Sequence, residues 1–438
     1  MNPAWDRAIG QLSARTRDQI RHNEPLSLHT ALRVGGPAEL FLYAQDRDSL
    51  AEAAANNPDI LAARSEVEAA QLRVASAGAL DDPMLEAGII DLPTRSLSFN
   101  REDMTQKMIG LSQRLPYPGK RALRESIAAR EADTRRFAYQ EVANRVSRDV
   151  KRTYFDLALT RESARLTEKN KRVLEQFLAT AESRYSVGQA TQADVLKAQT
   201  QVAKMTDELL KLAREQRNME AELNRALGRG DDRPSPNSQL PVLRAVSISL
   251  EEMRTQARSS RPQLQSLQSA TSRNDKAVEL ARKEYFPDFD VKLSYGQRDR
   301  TPMGERREDM ISLTVAINLP VWGKQKVEPR VLEAIAMRDQ ATSMVRGFEN
   351  EINARLRQEI SNQEQSFKSA RLYENVVLPQ ARLTVESSFA AYQVSRVDFF
   401  TLLDNQMTVF NYEIAYVSAV VSQAKALAEI EFVIGKEL

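Results

Sequence analysis

The chain has 438 residues, with 62 Lys and Arg against 60 Asp and Glu, 15 Gly, 17 Pro, 6% aromatic residues and no Cys. Near-cancelled charge argues against a nucleic-acid surface, which needs a basic excess on one face. The lack of Cys excludes disulfides, thiol nucleophiles and thiolate metal sites, and no window reaches the ~18 consecutive apolar residues of a membrane helix.

Scarce Gly and Pro, with abundant Glu, Gln, Arg, Ala and Leu, favour long helices over compact sheet-rich domains. A β-barrel wall stays open as a possibility, because its strands need only ~9–11 residues of alternating polarity. Met1 to Leu50 has no basic start followed by an apolar run, so no signal peptide is expected within it. Both histidines, His22 and His29, fall in this stretch without a second ligand at metal-site spacing.

Residues 49–80 read as a helix, with Asn57 as a cap and Pro58 at the first helical position. Pro83 ends it, and 84–92 and 107–115 are candidate strands. The stretch after Gly119 is helical to about 160, with a further helix over 162–186. Gly188 can close that helix with positive φ. Thr191 can cap the next one, with Asp194 three residues on. From Val195 the apolar residues step 3, 4, 3, 4 through Ala198, Val202, Met205, Leu209 and Leu212, then Met219 and Leu223, which is a heptad seam.

The second half repeats this plan. Leu115-Pro116-Tyr117-Pro118-Gly119-Lys120 recurs as Leu319-Pro320-Val321-Trp322-Gly323-Lys324 at an offset of 204, and Pro58 and Pro83 match Pro262 and Pro287. Ala221-Glu222-Leu223 and Leu227-Gly228-Arg229 match Ala428-Glu429-Ile430 and Ile434-Gly435-Lys436 at an offset of 207. The repeats are placed at 49–230 and 248–438, joined by a linker over 231–247. In 288–297 and 310–319 apolar and polar residues alternate, with the charged segment Arg298 to Glu308 between them. This is one greasy and one wet face on each strand, and it suits a barrel wall or an amphipathic hairpin on a soluble core. Asp398 can cap the last helix, whose Phe399, Leu402, Leu403, Val409, Phe410, Ile414, Val417, Val420, Val421 and Leu427 bury more than one face.

Four strands in lipid would leave unpaired N–H and C=O groups at two edges, whereas a closed barrel needs roughly eight strands or more. Membrane strands would therefore require at least two chains.

Residues 49–438 resemble the outer-membrane efflux proteins, the TolC family. The likeness is carried by the duplicated plan, by Asn57-Pro58-Asp59-Ile60, and by the turn Tyr185-x-Val187-Gly188-x-x-Thr191-x-x-Asp194-Val195-Leu196. Leu115-Pro116-x-Pro118-Gly119-Lys120-Arg121 is similar to the heavy-metal-efflux, CzcC-like branch. The resemblance implies a mainly α fold with a β-barrel portion: a homotrimer with a twelve-stranded barrel in outer-membrane lipid and a long α-helical barrel crossing the periplasm. It implies a passive efflux channel, not an enzyme, working with a periplasmic adaptor (membrane fusion protein) and an inner-membrane efflux pump of the RND type. The adaptor-docking tips carried over are Val187, Gly188 and Thr191, with Val394, Ser395 and Asp398 in the second half. Ser395 stands where the family has Gly. Asp404 falls on a pore-constriction position, and its bland reading is a solvated helix charge. Thr401 occupies the other ring position, where the family has Asp. No cofactor, resident metal or catalytic set is expected.

Residues 23–50, with Pro25-Leu26-Ser27-Leu28-His29-Thr30 and Val34-Gly35-Gly36-Pro37, resemble the opening of UDP-N-acetylenolpyruvoylglucosamine reductase. They read as a reductase start (1–48, not an independent domain) joined to an efflux body near residue 50. Two other readings remain at this stage: a soluble coiled-coil scaffold, which leaves the duplicated strand pairs unexplained, and a remnant flavin reductase, whose flavin domain has no counterpart in 51–438.

Overall fold

The computed structural model describes residues 55–230, 233, 238–246 and 249–438. The reductase-like stretch at 23–50, part of the proposed linker, and the start of the 49–80 helix lie outside them. In chain order the elements are α1 (Pro58–Gly78), β1 (Met84–Ile90), β2 (Gln106–Leu115), α2 (Lys120–Ser186), α3 (Gln192–Leu227), α4 (Leu250–Ser260), α5 (Pro262–Lys283), β3 (Phe289–Gln297), β4 (Met310–Ile317), α6 (Glu328–Leu372), α7 (Leu378–Gln393) and α8 (Phe399–Ile434). The fold is mainly α with one antiparallel sheet, ordered β1-β2-β3-β4.

Several expected boundaries are corrected. The helices placed at 120–160 and 162–186 are a single helix, α2. No Gly or Pro lies between Lys120 and Ser186, so nothing removes a backbone donor or favours positive φ, and propagation continues. Its counterpart in the second half is interrupted: wide π turns at Gly323–Val327 and Tyr373–Val377 precede α6 and α7. Pro379 lacks an N–H and crowds the carbonyl four residues back. The second π turn lies just before it, with Leu378 N–H reaching five residues back to Tyr373 O.

Other boundaries follow from local chemistry. Asn57 Oδ1 accepts from Asp59 N–H at 2.9 Å and Ile60 N–H at 3.4 Å, capping α1 ahead of Pro58. Strand β1 stops at Ile90, short of the expected 92, because Asp91 turns to φ 54° and its carbonyl accepts from Thr105 Oγ1 at 2.7 Å. Strand β4 stops at Ile317, where Asn318 Oδ1 accepts from Asp288 N–H at 2.6 Å.

The chain forms two compact units, and both halves contribute to each. One gathers Glu141–Arg261 and Glu351–Leu438 with the start of α1; the other is Ala62–Gln140 with Pro262–Asn350. The core of the first is an apolar seam of Leu166, Leu174, Phe177, Ala198, Met205, Phe399, Leu402, Leu403, Phe410 and Val417. Val195, Val202, Met407 and Ile414 pack against it. The expected heptad positions of α3 are therefore those turned inward. Helix α8 is buried on several sides, as its apolar residues require.

The second unit holds the sheet. Register places Leu85, Leu111, Leu293 and Leu313 in one row across all four strands, with Ile109, Tyr295 and Ile311 beside it. Leu85, Leu313 and Ile311 are 71%, 69% and 77% exposed, so the apolar face has no cover among the described residues. The opposite face carries Glu86, Gly110, Ser294, Lys292, Ser112 and Thr314. Lys292 pairs with Glu86 two strands away across this face. Gly110 makes room for it: an added Cβ would lie 3.4 Å from Lys292 Cε and 3.2 Å from Ser294 Cβ.

Candidate functional site

Each repeat ends in a helical hairpin, and the two turns are built alike. In the first, Gly188 N–H donates to Tyr185 O (3.0 Å) and Gln189 N–H to Arg184 O (2.8 Å). In the second, Ser395 N–H donates to Tyr392 O (3.1 Å) and Arg396 N–H to Ala391 O (2.9 Å). Gly188 and Ser395 both lie in the left-handed region, at φ 76° and 59°. The next helix starts from a capping box in the first turn, with Asp194 N–H on Thr191 Oγ1 (3.3 Å) and Thr191 N–H on Asp194 Oδ2 (3.0 Å). In the second, Asp398 Oδ1 accepts from Thr401 N–H (2.8 Å) and Oδ2 from the Thr401 hydroxyl (3.0 Å). Those bonds hold the Asp398 carboxyl below the usual carboxylate range. Val187 and Val394 project into solvent, 66% and 64% exposed.

The two turns also meet. Arg184 donates to Tyr392 O and Ser395 Oγ, and its guanidinium lies 4.7 Å from the centre of the Tyr392 ring. Lys197 Nζ sits 3.9 Å over the Phe400 ring. Burial pushes the Tyr392 phenol up, against the opposing pull of Arg184. Sequence reasoning missed Arg184, because its partners lie more than 200 positions away and it occupies an ordinary last-turn basic position. This contact accounts for Ser395: its hydroxyl is held by a cation while its backbone tolerates a conformation that favours Gly. Ser395→Ala and Ser395→Gly both lose that hydroxyl and differ in the left-handed penalty of about 1 kcal/mol. Ser395→Ala is therefore expected to be the less stable of the two by roughly that amount, measured by urea unfolding followed by circular dichroism.

Asp404 and Thr401 lie on an exposed polar face of α8 continued by Asn411, opposite the buried Leu402, Leu403 and Phe410. Deeper in the same unit the apolar seam is broken by a polar layer. Glu413 accepts from Arg382 at 2.7 Å and Lys169 at 2.9 Å, and Gln406 donates to Asn170 Oδ1 at 2.8 Å. Burial raises the Glu413 carboxyl, but the hydrogen bonds from Lys169 and Arg382 prevail and hold it below its usual range. Among the described residues no group of His, Cys, Asp and Glu could hold a metal ion, and no helix is long and apolar enough to cross a membrane. The helical tips present apolar points, α8 a polar face and the sheet one apolar face.

The family model "Outer membrane efflux protein" matches residues 50–229. The chain is similar to the cobalt-zinc-cadmium resistance protein CzcC of Cupriavidus metallidurans, 20% identical over 392 residues and covering 89% of each chain. It is also similar to the pyoverdine export outer membrane protein OpmQ of Pseudomonas putida, 22% identical over 401 residues and covering 86% of this chain and 83% of OpmQ. Its fold is that of the outer membrane protein VceC from Vibrio cholerae, with a TM-score of 0.76 at 17% identity over 90% of this chain and 96% of VceC. A separate stretch is 44% identical over 45 residues to UDP-N-acetylenolpyruvoylglucosamine reductase of Geobacter sulfurreducens, covering 10% of this chain and 15% of that enzyme. The chain thus carries the signature of the outer membrane efflux proteins and the fold of their channels.

Proposed function

We propose that the chain is the outer-membrane duct of a tripartite efflux system, a homotrimer conducting heavy-metal cations passively from an inner-membrane pump of the RND type to the outside. The observation that carries this reading is the sheet: four strands expose one continuous apolar face, and β1 and β4 are edges. In lipid such edges must be paired, so closure requires further copies. Three copies give twelve strands, an even number within the range of outer-membrane barrels. The likeness to CzcC supports a metal cargo, which would cross in water and need no ligands from the wall.

In this reading the periplasmic adaptor docks on the hairpin tips, with Val187 and Val394 as apolar points and Gly188, Thr191, Ser395 and Asp398 fixing the turns that present them. The repeats 49–230 and 248–438 are the products of an internal duplication, and each contributes to both compact units. Three copies of Asp404, one from each α8, ring the narrow part of the pore. A carboxylate ring favours cations over anions. Full-length protein reconstituted into planar bilayers should show discrete conductance with cation preference, and Asp404→Asn should shift the reversal potential toward zero under a salt gradient. No conductance would contradict the duct; an unchanged reversal potential would remove Asp404 from the constriction.

A further inference from the structure

The apolar seam of the first compact unit is hollow at one level. A cavity of about 180 Å³ lies where α2, α7 and α8 meet. Protein interiors rarely leave voids larger than a water molecule, and this volume is about that which admits a benzene ring. The side chains explain the gap. Neighbouring layers of the seam are filled by Leu166, Leu174, Phe177 and Phe410. The apolar walls here are Val173, Val385 and Val409, which are short and too stiff at χ1 to swing across.

The polar lining carries more positive than negative charge. Lys169 Nζ and the Arg382 guanidinium, at 2.9 Å and 2.7 Å, both donate to one oxygen, Glu413 Oε1. An ammonium has three donors and a guanidinium five, so this one carboxylate leaves both cations with donors to spare. Their side chains are more than half exposed and form the mouth, while Glu413 is buried behind them. The inner end is neutral: Asn170 and Gln406 are buried and hydrogen-bond to each other at 2.8 Å. Apolar walls with a few convergent polar groups at one end are the usual make-up of a small-molecule site.

We propose that this cavity binds a small aromatic carboxylate, with its ring among Val173, Val385 and Val409 and its carboxylate at the mouth between Lys169 and Arg382. The ring fills space that the valines leave empty. The carboxylate balances the second cation and takes charge-assisted hydrogen bonds from donors that Glu413 does not use. Every wall residue belongs to one chain and one compact unit, so the site is independent of the trimeric reading. The walls come from both helical hairpins, α2 of the first and α7 and α8 of the second. Occupancy therefore ties one hairpin to the other and stabilises their packing by mass action.

Equilibrium dialysis of radiolabelled benzoate against detergent-solubilised full-length protein, with empty micelles as the blank, tests the site. One benzoate per chain is expected. Acetate, which has the charge without the ring, and benzylammonium, which has the ring with the opposite charge, should each fail to displace it at about tenfold excess. Val385→Phe fills the cavity and leaves every charge in place, so it should weaken benzoate at least about tenfold. Lys169→Gln changes an exposed side chain and leaves Arg382 on Glu413. It should weaken benzoate at least about threefold, and it decides the matter if Val385→Phe fails to fold. Three results would overturn the proposal: no benzoate bound up to about 10 mM, displacement by acetate or benzylammonium, or equal binding by the unchanged protein and the folded variants.

Discussion

Replacing Glu429 by Ala is expected to destabilise the protein by about 3–5 kcal/mol, the usual cost of removing one partner from a buried ion pair. The Glu429 side chain is only 7% exposed, with Arg355 at 2.6 Å and both Arg148 and Arg152 at 3.7 Å. Next to it the Phe432 ring lies between the guanidiniums of Arg148 (4.2 Å) and Arg261 (3.9 Å). Burial lowers the pKa of Arg261, against the pull of Glu141 at 2.6 Å. Without Glu429, Arg148 and Arg355 face each other and Arg261 around one aromatic ring with less negative charge to offset them. Glu429→Gln keeps the volume and loses only the charge, so a smaller loss than for Glu429→Ala is expected. Urea midpoints for the two variants check this; equal midpoints for Glu429→Ala and the unchanged protein would mean that the cluster is solvated.

The second large effect is expected at the foot of the sheet. Lys120 and Asp288 are 6% and 11% exposed and bond at 2.8 Å. Asp288 also accepts from Tyr117 N–H at 2.8 Å, and Tyr117 stacks on Phe286 with ring centres 4.6 Å apart. Lys120→Met leaves a carboxylate in a site it shares only with Tyr117 N–H and the more distant Arg114, at 3.6 Å, and should cost about 3 kcal/mol. Adding Asp288→Asn removes that charge but keeps an acceptor for Tyr117, so the double variant should recover much of the loss. Burial raises the Asp288 carboxyl, but the bonds from Lys120 and Tyr117 outweigh it and hold the group below its usual range. A folded pKa below the unfolded value means that this stabilisation is fully present above about pH 4 and is lost as pH falls through the folded pKa. The stability difference between Lys120→Met and the unchanged protein should therefore be full above about pH 4 and shrink at lower pH, measured by urea unfolding followed by circular dichroism.

What the sequence revealed was local or repeated. The turn at Tyr185–Thr191 and its partner at Tyr392–Asp398 were legible because capping and left-handed closure act within four residues. The strands of the second half were legible because alternation survives on a sheet with one greasy and one wet face. The long-range ion pairs were not legible. Glu222 and Glu429 occupy the same place in the two repeats, yet Glu222 is exposed and bonded to Arg225 one turn on, while Glu429 is buried among arginines from other helices. The difference comes from how many sides of α3 and α8 are covered, and a residue's own neighbours do not report that. Likewise the length of α2 was underestimated, since a polar stretch near Arg161 looks like a helix end although Arg161 is bonded to Glu220 of α3 at 2.8 Å.

The most direct test of the duct is the mass of the full-length protein purified from membranes in detergent, by light scattering corrected for bound detergent. Three chains of 49.4 kDa each are expected. A stable, folded species of one chain would contradict it, because the open edges of β1 and β4 would then have to be satisfied without a second copy.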